Sequence, residues 1–426
     1  MTESLFLPPE FSRRDGSLWL EDCELRSLAA SYGTPLYVYS RAALRRNVQA
    51  WTRAGAPIGA RIFYAVKANT TRAILEECVD AGLGFDIVSG GELTRVLAAG
   101  AKPSDVVYSG VGKTTEEITF ALQAGILCFN VESESELYRI SNVAAELGKT
   151  APISLRVNPD VDAMTHPYIS TGLKSNKFGI PFSDALRLYK TAASLPAVSI
   201  RGIDAHIGSQ IVSLDPFVHA FEKLLDIVEQ LKTSGIELTH IDLGGGLGIC
   251  YENETPPQPR ELVDAIHASL ERRGLGTFSL FFEPGRNLVA SCGVLLTRVQ
   301  FLKPGLEKNF CIVDASMAEM IRPALYEARM PLLNCTTPSV APQQWDIVGP
   351  VCESSDWLAK GQTFSVRPSD ILAMANSGAY GVSMESNYNS RTRPAQVMVE
   401  GNRVHLIRER EKFEDLMRLE KSLRFS

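Results

Sequence analysis

A lysine closes the run Ile62-Phe63-Tyr64-Ala65-Val66-Lys67, and small and polar residues follow it at once. An apolar run of this length reads as a buried strand. At the C-terminal mouth of a parallel strand, a side chain points into the region where α/β folds bind their ligands. An ammonium that is partly desolvated there sheds its proton more easily and becomes an amine nucleophile, the species that forms a Schiff base. A lysine at a strand end is more often a solvated rim residue, and only further clusters change that reading. Three such clusters follow. His206-Ile207-Gly208-Ser209-Gln210 puts a histidine at a strand mouth, as a base, a ligand, an aromatic plate or a satisfied core residue. Asp242-Leu243-Gly244-Gly245-Gly246 exposes backbone N–H groups and lets the chain approach a ligand closely, which suits a phosphate as well as a tight turn. Phe282-Glu283-Pro284-Gly285-Arg286 places a carboxylate beside glycine and arginine, as a site or as a surface ion pair.

The glycine run and Gly285-Arg286 occupy the loops after the seventh and eighth apolar runs, which barrel enzymes often use for phosphate. A phosphate site, an amine nucleophile and a nearby carboxylate together point to pyridoxal 5'-phosphate. The lysine would hold the aldehyde as a Schiff base, and the carboxylate would keep the pyridine nitrogen protonated, making the ring an electron sink. The histidine can stack on the ring face. The later part of the chain adds Cys352-Glu353-Ser354-Ser355-Asp356, a thiol with two carboxylates on a turn-rich loop. A carboxylate neighbour favours the protonated thiol, as a proton donor requires. Gly378-Ala379-Tyr380-Gly381 offers a hydroxyl suited to a phosphate. Arg322 and Tyr326, in Ile321-Arg322-Pro323-Ala324-Leu325-Tyr326, suit a carboxylate.

The elements that must position these residues alternate. Apolar runs at Ile62–Val66, Phe85–Val88, Val106–Tyr108, Leu127–Val131, Ile153–Val157, Ile200–Ile207, Ile241–Leu243 and Phe278–Glu283 are mostly separated by helix-periodic stretches such as Ala73–Ala81, Glu92–Ala99, Glu134–Leu147 and Phe217–Leu231. That rhythm predicts a closed (β/α)8 TIM-like barrel. After Gly285 short β-type runs dominate, at Gly293–Phe301, Phe310–Asp314, Trp345–Val348, Ile371–Met374 and Gln396–Glu400, and predict an antiparallel β domain. The domain expectation is residues 1–38 joining the β domain, 39–288 as the barrel and 289–426 as the C-terminal β domain. The tail, with Phe413, Leu416, Met417 and Leu423 near helical spacing, is expected to dock as a helix. The polar span Asp160 to Asn176 is the candidate for a mobile lid.

Composition narrows the classes. At 426 residues the chain is long for one core, and its formal charge of -6 gives no reason to expect nucleic acid or an anionic membrane. No apolar run is long enough to span a bilayer, and Met1 to Arg14 lacks the order of a signal peptide. Eight scattered cysteines without a Cys-x-x-Cys pair fit a reducing cytoplasm. No His-Glu-x-x-His, zinc-spaced or P-loop pattern occurs, so no metal site is expected.

Taken together, Tyr64-Ala65-Val66-Lys67-Ala68-Asn69, Asp86-Ile87-Val88-Ser89-Gly90-Gly91-Glu92-Leu93, Lys177-Phe178-Gly179-Ile180 and the clusters above make the chain resemble the fold-type III pyridoxal-phosphate decarboxylases over nearly its whole length, and among them the branch acting on diaminopimelate. Asn176 departs from the serine more usual before Lys-Phe-Gly-Ile, at a position without a catalytic role. The resemblance implies an alanine-racemase-like barrel with a β domain. It implies that Lys67 holds the cofactor, His206 stacks on its ring, and Glu283 pairs with the ring nitrogen. Ser209, Gly244, Gly245, Gly246, Gly285, Arg286 and Tyr380 would surround the phosphate, and Cys352 would return a proton to carbon. It further implies a homodimer in which the cysteine loop serves the partner's site. Charge bears on the substrate. Diaminopimelate carries both ammonium and carboxylate at its far end, and Arg286, Arg322, Tyr326, Glu353 and Tyr380 complement that zwitterion, whereas ornithine or arginine would leave a guanidinium unpaired. The expected reaction is loss of carbon dioxide at the D-centre of meso-2,6-diaminopimelate, giving L-lysine, the last step of lysine biosynthesis. The rivals are a decarboxylase of ornithine, arginine or a carboxylated polyamine, an alanine-racemase-like enzyme, and a non-catalytic cofactor carrier or regulatory protein.

Overall fold

The structure, a computed structural model, describes residues 7–161 and 176–423 of the chain. The described residues fall into two compact units, 46–161, 176–249 and 254–288 in one, and 7–45, 250–253 and 289–423 in the other. The lid candidate lies almost wholly outside the described residues.

In the first unit eight strands alternate with helices: β1 (Arg61–Ala65), β2 (Gly84–Ile87), β3 (Val106–Tyr108), β4 (Cys128–Val131), β5 (Ala151–Asn158), β6 (Val198–Asp204), β7 (His240–Asp242) and β8 (Ser279–Phe282). Each pairs in parallel with the next, β4 with β5 among them. β8 pairs in parallel with β1, so the ring closes. All eight expected runs are therefore barrel strands. Their near-continuous apolar character follows from burial on both faces, inside the ring and under the helices. Phe63, Val107, Cys128 and Phe281 pack as one cluster inside the barrel, and the His240 ring stacks on Phe281 with centroids 4.2 Å apart. Gly202 belongs to this packing, since a Cβ there would come within 2.2 Å of the His240 ring. Local sequence starts the helices. Ser89 caps Gly90–Ala98, Ser133 caps Glu134–Glu146, and Thr114 and Glu117 form a capping box on Thr115–Ala124.

In the second unit a nine-stranded sheet is built around Gly293–Lys303, which pairs with Leu36–Ser40, Phe310–Val313 and Ile371–Met374. The sheet is mixed rather than uniformly antiparallel. Ala395–Glu400 runs parallel to Leu36–Ser40, and Gln343–Val348 runs parallel to Phe310–Val313. Period-two patterning assigns faces but not strand direction, which explains the difference. Leu18, Leu20 and Leu25 pack with Leu36, Val294 and Val397 in one core. The tail differs from expectation: among its described residues only Phe413–Met417 is helical, and Phe413 and Met417 are exposed. No helix among the described residues is long and apolar enough to cross a membrane.

Candidate active site

The barrel strands deliver a ring of polar side chains at their C-terminal ends. After β1 the chain makes a single 3-10 turn, Val66–Ala68, so Lys67 stands two residues beyond the strand. Its Nζ donates to Asp86 Oδ2 at 2.7 Å; Asp86, on β2, is fully buried, while the Lys67 side chain is about a third exposed. A buried anion thus fixes an amine that still reaches the mouth. Glu92, in the first turn of Gly90–Ala98, accepts from Val88 N at 2.7 Å. Burial pushes its carboxyl up to about 7, against the pull of that hydrogen bond and of Lys67.

Past β6, His206 Nδ1 accepts from Gly245 N at 3.1 Å, which leaves the ring proton on Nε2. Burial first, then Arg156 and Lys67, hold this imidazole well below the usual histidine range, so it is neutral. A neutral plate suits stacking. Gly244 and Gly246 have φ of 64° and 119°, a region side chains avoid. A Cβ on Gly245 would lie 2.2 Å from the Glu283 carbonyl oxygen. The glycine run is therefore a backbone cradle pressed against the end of β8. Arg286 Nη2 donates to Ser209 Oγ at 2.9 Å, joining the loops after β6 and β8, and a Cβ on Gly285 would lie 3.1 Å from both Ala65 and Ala68 Cβ.

Glu283 is 5% exposed, and its Oε1 is buried without a hydrogen-bond donor among the described residues. Burial first, then Asp242, Asp86 and Asp204, raise its carboxyl well above the usual range, while Lys67 opposes them. One oxygen from each of Asp204, Asp242 and Glu283 lies within 4.8 Å of the others. The residues fit pyridoxal phosphate. A protonated ring nitrogen supplies the donor that Glu283 Oε1 lacks, the amine is present at Lys67, and the cradle with Ser209 and Arg286 suits a phosphate.

In the β unit, Arg322 opens the short helix Arg322–Tyr326 and is 6% exposed. Its Nη1 donates to Tyr251 Oη at 2.9 Å, and its guanidinium lies over that ring, 5.1 Å from the centroid. Tyr326 closes the same helix and is partly buried. Cys352 is exposed, six of the other cysteines are buried and Cys250 is partly so. The Cys352 N–H donates to Asn389 Oδ1 at 2.9 Å, and Tyr388 Oη donates to Glu353 Oε1 in a very short contact. Tyr380 is held at φ 57°. The structure thus brings Lys67, His206, Ser209, Gly244, Gly245, Gly246, Glu283, Gly285 and Arg286 to one barrel mouth, and places Arg322, Tyr326, Cys352, Glu353 and Tyr380 in the β unit.

Sequence reasoning assigned no part to Asp86, Arg156, Asp204, Asp242, Tyr251 or Asn389. Arg156, on β5, lies 3.1 Å from Glu132 Oε1 and 4.0 Å from Asp204 Oδ2. The available signal was a charged residue inside each of the apolar runs of β2, β5, β6 and β7, unusual for strands buried on both faces.

Residues 41–290 match the family model "Pyridoxal-dependent decarboxylase, pyridoxal binding domain". The chain is 52% identical over 411 residues to the diaminopimelate decarboxylase of Vibrio cholerae, covering 96% of this chain and 98% of that one. It is 50% identical over 406 residues to the diaminopimelate decarboxylase of Pseudomonas aeruginosa, covering 95% and 97%. Among solved structures, diaminopimelate decarboxylase from Helicobacter pylori complexed with L-lysine superposes with a TM-score of 0.89 at 40% identity, covering 93% of this chain and 98% of that one.

Proposed function

We infer that this chain, which belongs to the pyridoxal-dependent decarboxylase family, removes carbon dioxide from meso-2,6-diaminopimelate and releases L-lysine. The observation that carries the reading is the pairing, on one barrel rim, of an amine fixed by buried Asp86 with a buried carboxyl oxygen that lacks a donor. Pyridoxal phosphate, when bound, supplies an aldehyde that captures amines and a ring that accepts the electron pair left by carbon dioxide.

The chain's own groups do the rest. Lys67 holds the cofactor and yields its place to the substrate amine, with Asp86 keeping the released ammonium in reach. Glu283 keeps a proton on the ring nitrogen, which sustains the ring as an acceptor. Neutral His206 offers a flat face without adding positive charge. Ser209, Arg286 and Tyr380, with the cradle of Gly244, Gly245, Gly246 and Gly285, take the phosphate. Arg286, Arg322, Tyr326 and Tyr380 are assigned to the far carboxylate of the substrate and Glu353 to its far ammonium. Cys352 Sγ–H gives a proton to the carbon that has lost its carboxylate, at the D-centre. The hydrogen bond from Cys352 N to Asn389 and the Tyr388 contact with Glu353 support this, because they brace the loop on both sides of the thiol.

The finer reading is a cytoplasmic homodimer in which the cysteine loop of one copy serves its partner. Support comes from eight free cysteines and from the resemblance carried by the Cys352-Glu353 loop. Mixing inactive Lys67→Ala and Cys352→Ala proteins should then restore up to about a quarter of wild-type turnover, since half the dimers are mixed and each has one intact site. No recovery after subunit exchange would remove the shared site. For the substrate, turnover of meso-diaminopimelate beside ornithine, arginine and lysine decides the matter, and preference for any of the latter would displace the present reading.

A further inference from the structure

The barrel mouth contains more acid than the reaction has been assigned. Asp86, Glu132, Asp204, Asp242 and Glu283 are all buried, and they face two cations, Lys67 and Arg156. Five ionised carboxylates against two cations is a charge state that a water-poor interior does not sustain, so protons remain in the group. The hydrogen bonds locate one of them. Asp86 Oδ2 is taken by Lys67, and both oxygens of Glu132 are taken, by Arg156 and Gly110 N at Oε1 and by Gly179 N at Oε2. Asp204 Oδ2 has Arg156 within 4.0 Å, while Asp204 Oδ1 and Asp86 Oδ1 are buried without a hydrogen-bond partner among the described residues. Asp242 Oδ1 accepts from Gly244 N at 2.9 Å, while its Oδ2 is buried without a donor among the described residues. Glu283 Oε1 is in the same condition. The two loops are already tied, because Glu283 N donates to Gly244 O at 2.7 Å. Of these four orphaned oxygens, those of Asp242 and Glu283 belong to side chains in hydrogen-bond contact with each other, so one proton between them serves both, and the second lone pair of Glu283 Oε1 stays open for the ring nitrogen.

We propose that Asp242 is a positioning residue for Glu283: the two share a proton in a carboxyl–carboxylate hydrogen bond that holds Glu283 toward the ring nitrogen. Asp242 touches no reacting atom. Its anchor at Gly244 and its proton fix where the Glu283 carboxyl points, so the acceptor is in place before the cofactor arrives. The aim at the ring nitrogen rests on the role given to Glu283 above; the shared proton does not. Burial is also the main cause that raises the Asp242 carboxyl to about 7. A carboxyl raised on folding lends stability that is complete below its unfolded value, about 3.9, and is lost as pH climbs through the folded value.

The test uses the full-length protein. Asp242→Asn keeps the acceptor for Gly244 N, offers Glu283 a permanent N–H donor and does not titrate. Without cofactor, its melting temperature should gain on wild type progressively from about pH 5 to about pH 9. A difference constant across that range overturns the shared proton. In the holoenzyme, Asp242→Asn should retain pyridoxal phosphate within about threefold of wild type, whereas Asp242→Ala, which offers no donor, should bind it about tenfold more weakly. Equal retention by the two variants overturns the positioning role. Should Asp242→Asn fail to fold, infrared spectra of the wild-type protein decide: an un-ionised carboxyl band at neutral pH is required, and its absence sinks the proposal. The decarboxylation reading stands or falls separately, on turnover by the unmutated enzyme.

Discussion

Replacing Glu283 by glutamine separates a specific role from general damage, because the structure assigns opposite signs to its two effects. The side chain is 5% exposed and keeps nearly the same shape as an amide, so the fold should survive. Glutamine cannot hold the ring nitrogen as a cation, and one preorganised electrostatic partner of this kind is worth about 100-fold or more in kcat. Asp204 carries an oxygen within 4.8 Å of the Glu283 carboxyl and can partly stand in for it. The expected loss therefore lies at the lower end, about 100-fold or about 2.7 kcal/mol, with KM changed less than about threefold. Stability should move the other way. The Glu283 carboxyl is raised by burial and by Asp242, Asp86 and Asp204, so its contribution is complete below the ordinary carboxylate range and disappears as pH rises. Glu283→Gln removes that loss, and the cofactor-free variant should melt above wild type at about pH 8. Steady-state lysine release and calorimetry on the same preparations read both effects. A kcat within about fivefold of wild type, or a melting temperature lowered equally at every pH, would refute the reasoning.

Two other substitutions probe separate parts. Cys352→Ala should retain pyridoxal phosphate, visible in its absorbance, while lysine release falls by about 100-fold or more, the scale of a lost general acid; an unchanged rate removes the thiol from the mechanism. Gly245→Ala would drive a Cβ to 2.2 Å from the Glu283 carbonyl oxygen, a backbone atom that cannot swing away. It should cost about 2–4 kcal/mol and weaken cofactor binding, and a stable variant with wild-type affinity would show that the cradle is not needed in this form.

Much of the barrel was legible because a strand buried on both faces leaves a continuous apolar run, and all eight such runs became β1 to β8. The mouth residues were legible for a related reason. Lysine, histidine, triple glycine and glutamate directly after apolar runs stand out by position alone. What escaped was everything decided by contact between distant segments. The Ser209 hydroxyl and Arg286 are 77 residues apart, and nothing local announces their hydrogen bond. Asp204 and Asp242 each lay inside an apolar run, and nothing local marked their partner until closure of the ring put their oxygens beside Glu283. The two parallel pairings of the β unit escaped because alternation is the same in either direction. Phe413 and Met417 showed helical spacing, but spacing does not say what covers the apolar face, and in this chain nothing does among the described residues.

The account comes down to where one proton is delivered. Turnover of meso-diaminopimelate in deuterium oxide, with and without added pyridoxal phosphate, followed by NMR of the product, reads it directly. Lysine carrying one deuterium on its ε-carbon, formed only when the cofactor is present, is the predicted result. Deuterium on the α-carbon instead, or no lysine while ornithine or arginine is consumed, would contradict it.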